Sequence, residues 1–210
     1  MQELLPNIFK VYRDSESGGW GYSFLVIRPQ GNIFFARMAQ TASIENEYDA
    51  IDAVGGISAI YITDFHFAGK HVEHVSSKFN APIYCSEVEK PKIIKRGIHN
   101  VTAFDFTQQQ LEDDLLVIPT PGHTSGGVCY LLALNHQNYL FTGDLIYFNG
   151  NSWVIGSKKY SDVKSSFDSL LALDFNILIG CGDDALGIPY VELTQDAKVA
   201  FFDKLKGDFS

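Results

Sequence analysis

The sequence predicts an α/β fold in which helices cover sheets, and the order of its apolar segments carries this prediction. Short runs rich in aromatic and β-branched residues, typical of strands, are interspersed with longer segments of helical periodicity, which an all-β barrel would lack. The chain has 210 residues, of which 46% are hydrophobic and 20% charged. This is enough apolar material for a substantial core, so we expect a single domain over residues 1–210.

The first half of the chain reads as a β-hairpin followed by helices and strands in alternation. We expect strands in NIFKVYR, GYSFLVIR, NIFFAR, IYIT and APIYCS, with the turn RPQGN closing the hairpin. Helical spacing of apolar residues predicts helices in ASIENEYDAIDAV and KHVEHVSSKF. On the second helix Val72, Val75 and Phe79 share the apolar face, while His71 lies at its edge and His74 towards solvent.

The second half contains three predicted strands in close succession, LLVIPT, VCYLLAL and NYLFTG, and a later one, FNILIG. Between them a helix is predicted, with Ser161 as its N-cap and with a core stripe of Val163, Phe167, Leu170 and Leu171. The segment ELTQDAKVAFFDKLK is predicted to be a closing helix. PKIIKRG is ambiguous, and NGNSWVIGS is expected to be a loop with some strand character.

Composition and charge argue against several classes of protein. The net charge of −9, without a cluster of Lys and Arg, offers no footprint for a phosphate backbone, so we expect no nucleic-acid partner. Three cysteines without short pairing motifs (Cys85, Cys129 and Cys181) argue against a disulfide scaffold, and we expect the first two in the core. The N-terminus has no signal-peptide pattern, and no apolar run approaches the roughly 20 residues of a membrane span. We therefore expect a cytoplasmic protein without a membrane partner.

Polar residues suited to catalysis gather where predicted strands end. His123 lies in the loop PGHTSGG after the strand LLVIPT, and Asp144 follows the strand NYLFTG. Imidazole and carboxylate are both good ligands for zinc, iron or manganese, so a His and an Asp from separate strand ends could share one cation. The segments TDFHFAGKH and CGDD occupy similar positions after IYIT and FNILIG.

Together these segments resemble those of the metallo-β-lactamase-fold superfamily. PGHTSGG is similar to the family loop PGHTxGS, and LFTGD is similar to the motif that carries the bridging Asp of the family. The resemblance extends over nearly the whole chain. It implies a four-layer αββα sandwich of the metallo-β-lactamase type, with a metal site at the sheet edge and with ester, thioester, amide or phosphoester hydrolysis as the activity.

The stretch TDFHFAGKH departs from the family motif T-H-x-H-x-D-H, and two registers stay open. With Thr63 aligned, only His66 is retained, since the other positions carry Asp64, Ala68 and Gly69.

The second register follows a longer, carboxylate-rich family form that resembles T-H-R-D-D-V-A-D-H. It places His66 at a carboxylate position and Lys70 at that of an Asp, while His71 keeps the final His. Cys181 departs as well, because it stands where the family has the His of Gly-His-Gly.

The resemblance thus implies six candidate metal ligands, drawn from the four strand-end segments: Asp64, His66, His71, His123, Asp144 and Cys181. They suffice for one divalent metal, with zinc preferred and iron or manganese as alternatives, and they are few for a dinuclear centre. Asp144 and Lys70 are the candidate catalytic residues.

Asp144 would orient the nucleophile or share its proton. The ammonium of Lys70 would stand where a second cation would be, paired with Asp64 or Asp144 in a salt-bridged relic of the site. Tyr147 and Trp153 are expected to line the substrate pocket.

Three functions are compatible with this set of residues. The first is a metal-dependent hydrolase of a small-molecule substrate. The alternative is a binding or scaffold protein without metal, because several family ligands are replaced. The third is a mononuclear iron protein with redox chemistry. Simpler roles exist for single residues: a backbone hydrogen bond for His123, a turn cap for Asp144 and a buried apolar position for Cys181.

Overall fold

The computed structural model describes residues 1–13, 21–37, 44–184 and 186–207, which belong to two compact units, Met1–Asp105 and Phe106–Ser210. The start of the segment ASIENEYDAIDAV (residues 42 and 43) and Ala185 of the loop CGDDALGIP lie outside the described residues. The single domain expected over the whole chain stays a prediction.

A seven-stranded sheet forms the centre of the first unit, within the ranges described. Its order is the chain order: β1 (Gln2–Leu5), β2 (Ile8–Arg13), β3 (Tyr22–Val26), β4 (Ile33–Phe35), β5 (Ala59–Tyr61), β6 (Ile83–Ser86) and β7 (Val101–Phe104). Strands β1 to β4 are antiparallel neighbours, whereas β4 to β7 pair in parallel. Because β5 and β6 are parallel, their carboxyl ends lie at the same edge of this sheet.

The helices of the first unit follow the predicted periodicity. They are α1 (Tyr48–Ala53), α2 (Lys70–Phe79) and α3 (Lys90–Lys95), with 3-10 turns at Glu45–Glu47 and Phe65–Phe67. Helix α2 buries Val72 and Val75, leaves His74 exposed and ends at Asn80, whose positive φ of 51° closes the helix in the left-handed region. The ambiguous segment PKIIKRG forms α3, which carries a proline in its first turn.

The second unit, as far as it is described, contains a six-stranded sheet in the order β15-β14-β11-β10-β9-β8 and a separate hairpin of β12 and β13. The strands are β8 (Gln109–Glu112), β9 (Leu115–Pro119), β10 (Val128–Leu134), β11 (Gln137–Gly143), β12 (Ile146–Phe148), β13 (Trp153–Ile155), β14 (Ile177–Gly180) and β15 (Tyr190–Glu192). Its helices are α4 (Tyr160–Leu171) and α5 (Gln195–Gly207).

Strand direction determines which loops leave from the same edge of this second sheet. Strand β10 is antiparallel to both β9 and β11, so β9 and β11 run the same way. Strand β14 pairs with β11 in parallel and therefore shares that direction. The loops after β9, β11 and β14 consequently leave from one edge of the sheet.

Helix α4 packs on the second unit through the predicted stripe. Val163, Phe167 and Leu170 are fully buried in the core, and Leu171 is only half-buried. The Phe167 ring meets that of Phe202 edge-on, with 5.0 Å between centroids.

The predicted start of α4 is wrong by two positions. Lys159, not Ser161, is the N-cap residue, and Ser161 lies inside the first turn, where its hydroxyl donates to the Asp162 carboxylate at 3.2 Å. An N-cap residue has non-helical backbone angles and accepts a following N–H through its side-chain oxygen, whereas the chain is already helical at Tyr160, so Ser161 lies one residue too far along to be the cap. No helix in the described ranges combines the length and apolarity that a bilayer crossing requires.

Phe167→Ala is expected to lower the free energy of unfolding by about 3–5 kcal/mol, because it removes a fully buried ring and leaves a cavity. Chemical denaturation of the two proteins measures the difference. Val199→Ala is the control, since Val199 of α5 is 48% exposed and its truncation should change little. Equal losses in both variants would contradict the assigned core.

Cys85 is expected to resist alkylation in the folded protein. Burial raises the pKa of its thiol to about 12, with the Glu89 carboxylate adding to the shift and Lys90 opposing it. The thiolate is the reacting species, so iodoacetamide at pH 8 should label Cys85 only after unfolding, with labelling in the folded state appearing as the pH approaches about 12. Peptide mass spectrometry reads the labelled site, and rapid labelling at pH 8 would show that the thiol is not buried as described.

Candidate metal centre

The loop PGHTSGG is held by its own backbone and by α4. Thr120 donates its N–H to the Gly127 carbonyl at 2.8 Å, which closes the loop after β9. Ser166 of α4 donates its hydroxyl to the Pro121 carbonyl at 2.6 Å. Gly122 has a φ of +144°, and a Cβ there would lie 2.3 Å from Val163. The loop therefore lies so close to α4 that only glycine fits at this position.

His123 is oriented by the backbone of Gly156. Its Nδ1 lies 2.5 Å from the Gly156 carbonyl oxygen. A carbonyl oxygen can only accept, so Nδ1 carries a proton, and in the neutral tautomer this leaves the lone pair on Nε2. This is the arrangement that metal-binding histidines commonly have, with one ring nitrogen donating to a backbone carbonyl and the other facing the ligand.

The Nε2 atom of His123 faces Asp144. It lies 3.7 Å from Asp144 Oδ2, and both side chains are partly buried. Two donor atoms at 2.0–2.1 Å from a tetrahedral zinc lie roughly 3.4 Å apart, so this separation fits a pair of ligands to one cation. Their chemistry fits as well, since an imidazole nitrogen and a carboxylate oxygen can both coordinate a cation placed between them.

Cys181 completes the group. Asp144 directly follows β11, and Cys181 directly follows its parallel neighbour β14. The Cys181 sulfur lies 2.8 Å from Asp144 Oδ1, and the thiol donates to the carboxylate. Cys181 is 2% exposed. The imidazole of His123 and the thiol of Cys181 thus each lie beside the Asp144 carboxylate, and these are the three side-chain types that bind zinc in proteins.

A cavity of about 620 Å³ opens beside His123 within the second unit. Its lining comes from the loop after β9, the β12–β13 hairpin and the start of α4: Gly122, His123, Tyr147, Ile155, Gly156, Ser157, Lys158, Lys159 and Asp162. Tyr147 lines the cavity, as expected from the sequence. Trp153 is not among the lining residues and packs edge-on against Phe148 and Phe201.

In the first unit the structure brings Asp64 and His66 together. Asp64 is 3% exposed and caps the 3-10 turn after β5, accepting the N–H of His66 at 2.9 Å. The same oxygen lies 3.3 Å from His66 Nδ1. The carboxylate therefore holds the backbone of His66 and lies beside its ring, a position that carboxylates often take next to a metal-binding His. Whether these two residues bind a metal stays a prediction.

The other candidates of the first unit lie on α2. His71 is half-buried in the first turn, and its ring meets that of exposed His74 edge-on at 5.3 Å. Lys70 is exposed at the start of the helix, and its aliphatic stem passes Gly97, whose added Cβ would lie 3.6 Å from it. Among the described residues of this unit, no ion pair links Lys70 to Asp64. A catalytic role of Lys70 stays a prediction.

Two residues that support the site were not found from the sequence. Gly156 supplies the carbonyl that orients His123, and an added Cβ would lie 1.9 Å from the Asp144 carbonyl oxygen. Ser166 anchors the preceding loop through Pro121. A glycine and a serine carry no signal by themselves, because only the tertiary contact makes them specific.

Gly156→Ala is expected to lower the free energy of unfolding by about 1–3 kcal/mol, because the new Cβ overlaps the backbone beside Asp144 and forces the strand outward. Chemical denaturation measures the change. Gly207→Ala is the matched control, since nothing lies within 4 Å of a Cβ there and alanine favours the helix end. A Gly156→Ala protein as stable as that control would refute the close approach.

Comparison with known proteins places these elements in a family. Residues 51–183 match the model of the metallo-beta-lactamase superfamily. A hydroxyacylglutathione hydrolase of Brucella abortus is 31% identical over 159 residues, which is 70% of this chain and 58% of the relative. A probable polyketide biosynthesis zinc-dependent hydrolase of Bacillus velezensis is 33% identical over 97 residues, 45% of this chain and 41% of the relative. The chain therefore spans about half the length of these curated relatives.

Solved structures share the fold at low identity. An archaeal metallo-beta-lactamase superfamily protein of Sulfolobus tokodaii superposes with a TM-score of 0.70 at 12% identity, covering 97% of this chain and 86% of that one. A metallo-beta-lactamase of Cronobacter sakazakii with a HARLDQ motif superposes with a TM-score of 0.63 at 18% identity, covering 86% and 80%. The fold class predicted from the sequence is confirmed. The family match spans more than half of the chain, so this chain belongs to the metallo-β-lactamase superfamily.

Proposed function

We propose that this protein is a metal-dependent hydrolase in which His123, Asp144 and Cys181 hold one divalent cation. The observation that carries the proposal is the convergence of these three side chains at one edge of the second sheet, with the Cys181 sulfur 2.8 Å from Asp144 and His123 Nε2 3.7 Å from it. Three protein ligands leave a coordination position for a substrate, which is typical of a catalytic zinc site.

Zinc is the metal that this group favours. A thiolate ligand is soft and selects zinc over manganese, which prefers carboxylate and water oxygens. The Bacillus velezensis relative is named as zinc-dependent, which supports the same choice. Iron is the remaining alternative. That Asp64, His66 and His71 add ligands is the prediction from the family motif.

The metal would supply a Lewis acid that makes water acidic near neutral pH and polarises the bond to be cleaved. The chain's own residues do the rest. The Gly156 carbonyl holds the His123 ring in one orientation, and the Asp144 carboxylate can take a proton from the attacking water. The cavity beside His123, about 620 Å³, is of the size that binds a small molecule.

A thioester is the substrate class to try first. Hydroxyacylglutathiones are thioesters, and the Brucella relative is named for their hydrolysis. Esters and phosphoesters are the next classes. The lining offers Tyr147 and Ile155 for apolar groups and Ser157 and Lys158 for polar ones.

A binding protein without metal is the second candidate, because Cys181 and Asp64 occupy family positions at which a His is usual. In such a protein the thiol of Cys181 would keep its hydrogen bond to Asp144, and no metal would replace the proton. Metal content separates the two candidates.

We expect protein purified without a His-tag or added metal to carry about one zinc per chain, measured by plasma mass spectrometry. His123→Ala and Asp144→Asn should lower zinc affinity by at least about tenfold, because each removes a ligand. His74→Ala and Asp168→Asn are the matched controls, since both residues are exposed on helix surfaces. Hydrolysis of a thioester panel should follow zinc occupancy across these variants.

Cobalt substitution tests the thiolate directly. Cobalt in the unmodified protein should give a sulfur-to-cobalt charge-transfer band, and Cys181→Ser should abolish it while retaining some cobalt binding through oxygen. Absence of metal in all proteins, even with excess zinc, would refute the hydrolase and leave the binding protein.

A further inference from the structure

A buried glutamate in the first unit has no role in the site as described so far. Glu89 is 1% exposed, and it immediately precedes α3. Its backbone N–H is held by Ser86, to the carbonyl at 3.1 Å and to the hydroxyl at 3.3 Å. A carboxylate removed from water is costly unless hydrogen bonds compensate for the lost solvation, so the partners of this side chain indicate what it does.

The Glu89 side chain faces the turn that carries Asp64 and His66. Its Oε2 accepts the N–H of Phe65 at 3.0 Å, although the two residues are 24 positions apart. The parallel pairing of β5 and β6 explains the reach, because the loops that follow both strands leave from the same edge of the first sheet. The side chain makes no capping hydrogen bond to α3, the helix that it precedes, so helix capping does not account for its burial.

Two carboxylates therefore hold the two N–H groups that open the 3-10 turn. Asp64 accepts from His66 at 2.9 Å, and Glu89 accepts from Phe65 at 3.0 Å. The first amides of a helical turn have no carbonyl acceptor of the turn itself, so side-chain acceptors such as these two carboxylates stabilise them. The position of the Asp64 and His66 backbone thus depends on a side chain that the local sequence does not supply.

Two basic side chains, Lys92 of α3 and Arg96 directly after it, lie near the same contact. Lys92 Nζ lies 3.9 Å from Glu89 Oε1 and 4.6 Å from the centre of the Phe65 ring. The Arg96 guanidinium lies 5.7 Å from that ring centre. Cations over an aromatic face are attracted to it, so Lys92 and Arg96 contact the ring of Phe65 while Glu89 holds its amide.

We infer that Glu89 is a positioning residue, which sets Asp64 and His66 in place for a divalent cation by holding the N–H of Phe65. The inference rests on the proposed function, since it assumes that the protein binds such a cation. Glu89 acts through the backbone and does not itself touch the metal. Because the Glu89 side chain is 1% exposed and meets Phe65 at 3.0 Å, the contact depends on the length of that side chain.

The test uses the full chain with four substitutions. Glu89→Gln keeps an acceptor oxygen at the same reach, Glu89→Asp keeps the charge but shortens the side chain by one methylene, and Glu89→Ala removes the acceptor. Glu87→Ala is the matched control, because Glu87 is exposed two positions earlier. Zinc affinity is measured by competition with a chromophoric chelator, and hydrogen exchange of the Phe65 amide is measured by NMR without metal.

We expect Glu89→Asp and Glu89→Ala to lower zinc affinity by about 10–100-fold, the range for lost supporting contacts at metal sites, and to speed exchange of the Phe65 amide. Glu89→Gln should stay within about threefold of the unmodified protein, and so should Glu87→Ala. If Glu89→Ala does not fold, the zinc affinity and amide exchange of Glu89→Asp alone test the inference.

Folded Glu89→Asp with unchanged zinc affinity would overturn the inference, even if thermal stability falls, because a purely structural residue would behave in that way. Unchanged exchange of the Phe65 amide in Glu89→Asp and Glu89→Ala would also overturn it. A protein that binds no zinc before substitution would instead overturn the proposed function, and this inference with it.

Discussion

Strand direction is the constraint on which the candidate site depends. In the second unit β9, β11 and β14 share one direction, so the loops that bear His123, Asp144 and Cys181 leave from one edge. In the first unit the parallel pair of β5 and β6 brings the Asp64 turn to Glu89. Candidate site residues that are dozens of positions apart become neighbours because parallel strands end together.

Close backbone approach is the second requirement of the site. His123 is oriented by a carbonyl and not by a side chain, and that carbonyl belongs to Gly156, where a Cβ would overlap the backbone of Asp144. At Gly122 a Cβ would instead overlap the side chain of Val163 on α4. A backbone carbonyl orients the His123 ring more rigidly than a flexible side chain could. The backbone is already ordered by the fold, so little further conformational freedom is lost.

The departures from the family motif change the chemistry more than the geometry. Cys181 lies within hydrogen-bonding distance of Asp144, so the replacement of a family His retains a side chain able to bind a soft metal. Asp64 caps the turn and contacts His66. In the proposed site these residues form a set of ligands that includes a thiol, and a thiol-containing set suits zinc.

The sequence by itself determined the α/β class, the main strands, the apolar face of α2 and the core stripe of α4. These features follow from the spacing of apolar residues, which matches the period of a helix or a strand. It also indicated His123 and Asp144 through their positions after strands. It did not reveal short edge strands such as β1 and β8, whose exposed residues lack a periodic pattern, and it misplaced the start of α4. Only the tertiary structure decided that Gly156 orients His123 and that Glu89 holds Phe65, because a carbonyl contact and a hydrogen bond across 24 positions leave no local trace in the chain.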